Sequence, residues 1–250
     1  MDNINIDICI ATKNSITTLP KLLNSIENQN DLRSFRVLIA DNKSNDGTIK
    51  LLNSYSFCKI ISLEDNGPEE AFNKLLNIDS KNLKIIIGSD DYIAVNYIKN
   101  FRKTANILYK KGFKKFILLP MFYKNFNGFL FNINFPLPIF FINFIGISRG
   151  IGFGIFNSQD SIPNFNTQIL YASDFDFLLR CKKNKFCIKY VPTRYFHSKS
   201  GRSSKNWEVA FREEKLISLK YNKANISRIF IKLLFKLKHL VRKLNKILKI

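Results

Sequence analysis

The sequence predicts an α/β fold, a mostly parallel central sheet flanked by helices, with a C-terminal amphipathic helix as a separate unit. Three features carry this expectation. Through residue 120, short apolar runs alternate with stretches of helical periodicity over short connections. Two of the apolar runs end in polar turns rich in Asp, Asn, Ser and Gly, where open α/β sheets take their ligands. After Glu214 no acidic residue occurs, and apolar and basic positions keep helical spacing to the end of the sequence.

The elements follow in order. Ile4 to Ala11 reads as a strand, and Thr18 with Pro20 opens a helix whose Leu19, Leu22, Leu23 and Ile26 share one face. Arg36 to Ala40 is the next strand, Thr48 to Ser54 a helix, and Lys59 to Leu63 a third strand. Glu69 to Leu76 is helical, Leu83 to Ile87 is apolar enough to be a central strand, and Val95 to Lys111 is a longer helix. Phe116 to Pro120 is a further strand, after which the alternation stops. Residues 122–156, rich in Phe, Ile, Asn and Gly, read as irregular strands and loops that complete a pocket. Ser173 to Lys183 is a helix, Cys187 to Pro192 a strand, and Lys205 to Tyr221 a last helix before the tail.

At 250 residues and 46% hydrophobic content the chain can bury a large core, expected over residues 1–224, with 225–250 as an appendage. A net charge of +21 argues for an anionic partner, whether nucleic acid, nucleotide or anionic membrane surface, without choosing among them. Cys9, Cys58, Cys181 and Cys187 form no CxxC pair and suit a reducing cytosol. Met1 to Asn5 lacks the basic start of a signal peptide. The most apolar stretch, Phe129 to Ile147, is broken by Pro136 and Pro138, so a membrane span is not expected.

Two acidic turns carry chemistry. In the first, Ser44, Asp46 and Gly47 suit the start of a helix, while Asp41 and Asn42 at the strand end suit a uracil imide or ribose hydroxyls. In the second, Ser89-Asp90-Asp91, adjacent carboxylates repel unless a cation or a helix start compensates. Mg²⁺ or Mn²⁺ would do so, with diphosphate oxygens filling the rest of the shell.

The first hundred residues resemble the family 2 glycosyltransferases and their Rossmann-like GT-A fold, of the type that builds bacterial surface polysaccharide. The resemblance rests on Ile8-Cys9-Ile10-Ala11-Thr12-Lys13-Asn14-Ser15, on Asp41 to Thr48, on Glu64-Asp65-Asn66-Gly67 with Ala71-Phe72-Asn73-Lys74, and on Ser89-Asp90-Asp91. It implies that Thr12, Asp41 and Asn42 contact a nucleoside and that Asp65 lies near its base or ribose. By the same resemblance Asp91 binds a metal on the diphosphate, with Asp90 beside it toward the sugar. Lys13 stands where the family has an aromatic residue, Glu69 and Glu70 replace a Tyr-Asp, and Leu75 replaces a Gly.

In the second half, Ala172 to Arg180 resembles the family's acidic helix start, which points to Asp174 as the base that deprotonates an acceptor hydroxyl in an inverting transfer. Asp176 is the rival. Gly152 to Phe156 resembles an acceptor-side strand, and Phe196 to Ser204 a loop over donor phosphates. In that loop His197 is a candidate metal ligand or phosphate contact, and Lys199 and Arg202 are candidate phosphate contacts.

The tail combines an apolar stripe, including Ile229, Leu233, Leu237, Leu240 and Leu244, with Arg228, Lys232, Lys236 and Arg242 mostly on the other side. It suits an anionic membrane surface better than a coiled coil or nucleic acid, and packing on the body of the protein is the other reading. The expectation is therefore a cytoplasmic enzyme, peripheral on the inner membrane face. It moves a sugar from a nucleoside-diphosphate donor to a hydroxyl of a surface glycan or lipid-linked acceptor, with no nucleic-acid partner. A non-catalytic nucleic-acid-binding protein, and a nucleotidyltransferase of similar fold, are the rival readings.

Overall fold

The structure, a computed structural model, describes residues 4–30, 35–62, 64–78, 81–125, 152–197 and 206–222, with 228–229, 231–233, 235–236 and 240 of the tail. Eight strands form one sheet: β1 (Ile6–Thr12), β2 (Phe35–Asp41), β3 (Cys58–Ser62), β4 (Leu83–Gly88), β5 (Tyr92–Ile93), β6 (Lys115–Asn125), β7 (Phe153–Asn157) and β8 (Cys187–His197). Their spatial order is β3-β2-β1-β4-β7-β6-β8-β5. The first four are parallel. β7 then enters antiparallel between β4 and β6, and β8 lies parallel to β6 with the short β5 antiparallel at the edge.

Helices cover both faces, which is why the inner strands are apolar on both sides rather than alternating. On one face Ile6, Ile8 and Ile10 of β1 and Val37 and Ile39 of β2 meet α1 (Leu19–Glu27) and α4 (Tyr97–Lys110). On the other, Cys9, Leu38, Ala40 and Ile86 meet α3 (Pro68–Leu76) and α5 (Ser173–Lys183). The small α2 (Thr48–Asn53) follows the first acidic turn, and α6 (Trp207–Tyr221) lies against α5 through Ile217. At the strand starts Asp7 is fully buried and bound by Arg36 at 2.8 Å and Lys84 at 2.7 Å. These three charges stitch β1, β2 and β4 in register.

Two strands run longer than expected. Cys187 to Pro192 is only the first half of β8, which runs on to His197 beside its parallel partner β6, and β6 itself continues past Pro120 to Asn125. At the end of the 122–156 region β7 stands where Gly152 to Phe156 resembles a strand. Phe129 to Ile147 lies outside the described residues, as do Leu63, Lys199 and Arg202. Among the described residues no helix is long and apolar enough to cross a membrane.

Candidate active site

The carboxyl ends of β1, β2 and β4 carry the acidic turns. Asp41 pairs across the sheet with Thr12, and its fully buried carboxylate accepts hydrogen bonds from the Ser44 N–H at 2.8 Å and the Ser44 hydroxyl at 2.6 Å. Asp41 thus shapes its loop from behind. Asp46 does the same across to the next loop, accepting from the Ile16 and Thr48 N–H groups, each at 3.0 Å. Asp46 thus meets the first N–H of α2, whereas Ser44, the other residue expected at the helix start, is taken up by Asp41 and by the Asn14 N–H, and Gly47 stands at the cap itself. In front, Asn42 donates to the Asp65 side chain at 2.9 Å, so these two residues from different turns form one partly exposed edge. The Thr12 hydroxyl is buried beside them and has no hydrogen-bond partner. A buried polar atom of this kind costs about 1–3 kcal/mol while it stays unpaired.

The second turn is built around Gly88. A Cβ there would stand 2.6 Å from Asp91 Oδ2 and 3.3 Å from Asp90 Oδ1, so both carboxylates fold back over the one residue that leaves room for them. Ser89 reaches the loop after β1 through its hydroxyl, 3.3 Å from that of Ser15. The far half of β8 supports this turn from below. Tyr92 and Ile93 pair with Phe196 and Tyr195, which carries the Tyr195 hydroxyl to Asp91 Oδ2 at 2.7 Å and His197 Nδ1 to the same oxygen at 3.4 Å. Tyr195 also accepts the Gly88 N–H at 3.2 Å. Burial, followed by the Asp91 charge, holds its phenol well above its ordinary range. Its ring needs Gly152, where φ is +97° and a Cβ would come within 2.5 Å of the ring.

Sequence reading missed Tyr195. The signal was its place two residues before His197 on one strand, hence on the same face. Tyr195→Phe keeps the ring and removes both hydrogen bonds, taking an acceptor from the half-buried Gly88 N–H and a donor from the buried Asp91. Its stability should fall by about 1–3 kcal/mol in denaturant titration, and an unchanged midpoint would remove the hydroxyl from this role.

The third carboxylate comes from α5. Asp174 sits in the first turn of that helix, and its pKa is pushed up to about 7. Burial is the main cause. The Phe175 N–H, donating at 2.7 Å, acts against it, Glu214 raises it, His197 lowers it and Glu69 raises it. His197, which reaches Asp91 at 3.4 Å, is thus also felt by Asp174, 83 positions away from Asp91 in sequence (174 − 91). Asp176, the rival, is 1% exposed and held by Arg180 at 2.7 Å and the Tyr221 hydroxyl at 3.2 Å, a structural pairing.

Glu213 and Glu214 of α6 were also missed. The Glu213 carboxylate accepts the N–H groups of Leu170, Tyr171 and Ala172 at 3.2, 2.8 and 3.0 Å, fixing the entry to α5. Glu69, out of the family pattern in sequence, accepts the Ser173 hydroxyl at 3.0 Å from the facing helix. Among the described residues no cluster of three or more His, Cys, Asp or Glu side chains is gathered tightly enough to ligate a metal alone.

No curated protein sequence matches the chain. Among solved structures, residues 1–349 of S. aureus TarS in complex with UDP-GlcNAc align at 20% identity, with a TM-score of 0.65 over 93% of this chain and 70% of that one. The chain covers 43% of a longer TarS structure, at 21% identity and a TM-score of 0.63. A mannosyltransferase from Pyrobaculum calidifontis, solved with GDP-Man and Mn²⁺, aligns at 13% identity and a TM-score of 0.65 over 92% of this chain and 69% of its own. At these identities the likeness is one of fold. Residues 7–109 match the model of Glycosyl transferase family 2, a span that holds both acidic turns. The chain therefore carries a glycosyl transferase family 2 domain over residues 7–109, set within a GT-A fold that takes in most of its length.

Proposed function

We propose that the protein transfers a sugar from a nucleoside-diphosphate donor, a uridine nucleotide in the first instance, to a hydroxyl of a glycan or lipid-linked acceptor, with inversion. The observation that carries this is the turn in which the Asp90 and Asp91 carboxylates fold over Gly88 within the matched span, with His197 3.4 Å from Asp91. Thr12, Asn42 and Asp65 bind the nucleoside, with Asp41 holding the loop behind them. TarS and the mannosyltransferase hold nucleotide sugars, UDP-GlcNAc and GDP-Man, which supports a donor of this class.

The two carboxylates folded over Gly88 fit a hard divalent ion, Mn²⁺ or Mg²⁺, as the mannosyltransferase complex with Mn²⁺ also suggests. Asp91 and Asp90 would hold it with His197 beside them, and the ion would neutralise charge on the diphosphate. Tyr195 fixes the Asp91 carboxylate by donating to Oδ2. Asp174 accepts the proton of the acceptor hydroxyl as that oxygen attacks the anomeric carbon on the side opposite the diphosphate. With a pKa of about 7, Asp174 is a far stronger base than an ordinary carboxylate. Phosphate contacts from Lys199 and Arg202 complete the reading. The enzyme works in surface polysaccharide or lipopolysaccharide synthesis, on the cytoplasmic face of the membrane, with residues 225–250 as the membrane-associating unit.

A donor screen by thermal shift tests this. UDP-GlcNAc, GDP-Man and related nucleotide sugars are added with and without Mn²⁺, because a ligand that binds only the folded state raises its melting temperature. At least one donor should stabilise the protein more with Mn²⁺ than without. If no nucleotide sugar shifts the transition while nucleic acid does, the rival binding-protein reading takes its place.

A further inference from the structure

Among its described residues the tail has two apolar faces, and one of them packs on the protein. Its described residues are helical. Ile231 and Phe235, one above the other at a spacing of four, are buried against α6, where the Phe235 ring meets Phe211 edge-on at 5.0 Å between centroids. Neither residue belongs to the stripe that sequence periodicity singles out. The described residues of the stripe face away: Ile229, Leu233 and Leu240 are 60%, 62% and 53% exposed. At the helical angle of about 100° per residue these three cluster within about 40°, on the side opposite the buried pair. Arg228, Lys232 and Lys236 are exposed along one flank, and no acidic residue follows Glu214 in the sequence.

We propose that this outward stripe docks the protein on an anionic lipid bilayer, with Ile229, Leu233 and Leu240 at the acyl boundary and Arg228, Lys232 and Lys236 against headgroup phosphates. The charge selects this occupant. A second copy would set cations against cations, and nucleic acid would use the cations but leave three large apolar side chains in water. A bilayer satisfies both sets at once. The inner pair gives the contact its consequence, since Ile231 and Phe235 seat the helix on α6 and the bilayer then holds the folded body rather than a loose tether. The inference deepens the membrane placement proposed above and uses none of the sugar chemistry.

Flotation of the full-length protein tests it, with vesicles of equal parts phosphatidylglycerol and phosphatidylethanolamine, and phosphatidylcholine vesicles as control. The wild type should float with the anionic vesicles and stay down with the neutral ones. Replacing Arg228, Lys232 and Lys236 by Gln should weaken partition by about fivefold per cation. The triple change Ile229→Gln, Leu233→Gln and Leu240→Gln should abolish flotation with an unchanged melting temperature, because all three positions are exposed. Phe235→Ala, which cuts the inner contact, should lower the melting temperature and leave flotation in place. The proposal falls if the wild type stays down with anionic vesicles or if the triple Gln variant floats as well as the wild type. It falls too if the stripe proves to hold a dimer that the triple variant splits. Donor-induced thermal shifts should be the same in the triple variant and the wild type, which keeps this result separate from the catalytic proposal.

Discussion

On the proposed reading, Asp174→Asn should lower sugar transfer by about 10²- to 10⁴-fold and at the same time make the protein more resistant to heat near neutral pH. Both effects have one cause. The Asp174 carboxyl carries a pKa of about 7 against an ordinary 3.8, chiefly through burial and also through the carboxylates of Glu214 and Glu69. Between those two values the folded protein keeps a proton that the unfolded chain has released, so this group favours folding at low pH. Its contribution is complete below the unfolded value and is lost as pH rises through about 7. Above that point the wild type must hold a half-buried negative charge that Asn does not carry. Melting curves near pH 8 should therefore run higher for the variant, and the gap should narrow steadily below pH 7 and close near the ordinary value of 3.8. The rate should follow the same group in the opposite sense: kcat climbs as pH rises through about 7 and then levels. A wild-type rate that is flat across that range, or an Asn variant that still turns over, removes Asp174 as the base.

Asp91→Asn removes metal-dependent turnover, with an expected loss of about 10²- to 10³-fold, while the fold survives. The amide keeps an oxygen to accept the Tyr195 hydroxyl, so the turn above β8 stays closed. What it loses is the charge that, with Asp90, makes the Gly88 turn a site for a hard cation. The direct measurement is the Mn²⁺ dependence of transfer and of the donor-induced thermal shift, and both should vanish together. Full activity in the variant would count against the metal assignment, even if Asp174 kept its role.

The two predictions rest on different degrees of legibility. The half of the site on β1, β2 and β4 can be read in sequence because each turn follows its own strand, and its chemistry is written within nine consecutive residues or fewer. Asp174 can be read the same way, as a carboxylate in the first turn of a helix. Tyr195, His197 and Glu213 act across the fold. The first two reach Asp91 only because β8 continues beside β6 and meets β5, a pairing no local pattern encodes. Glu213 has the look of one more surface charge on a helix, yet it accepts three backbone N–H groups from the segment that leads into α5. The tail gives the reverse case. Its strong periodicity is visible at once and faces outward, whereas the weaker pair Ile231 and Phe235 makes the actual contact with the body.

The seam between β4 and β7 has a consequence for folding. The stretch that matches the family model stops with α4, but its last central strand finds its missing neighbour in Phe153–Asn157. Cut after α4, the chain would leave the β4 flank as an open, apolar sheet edge, so the matched half needs the later half to be closed.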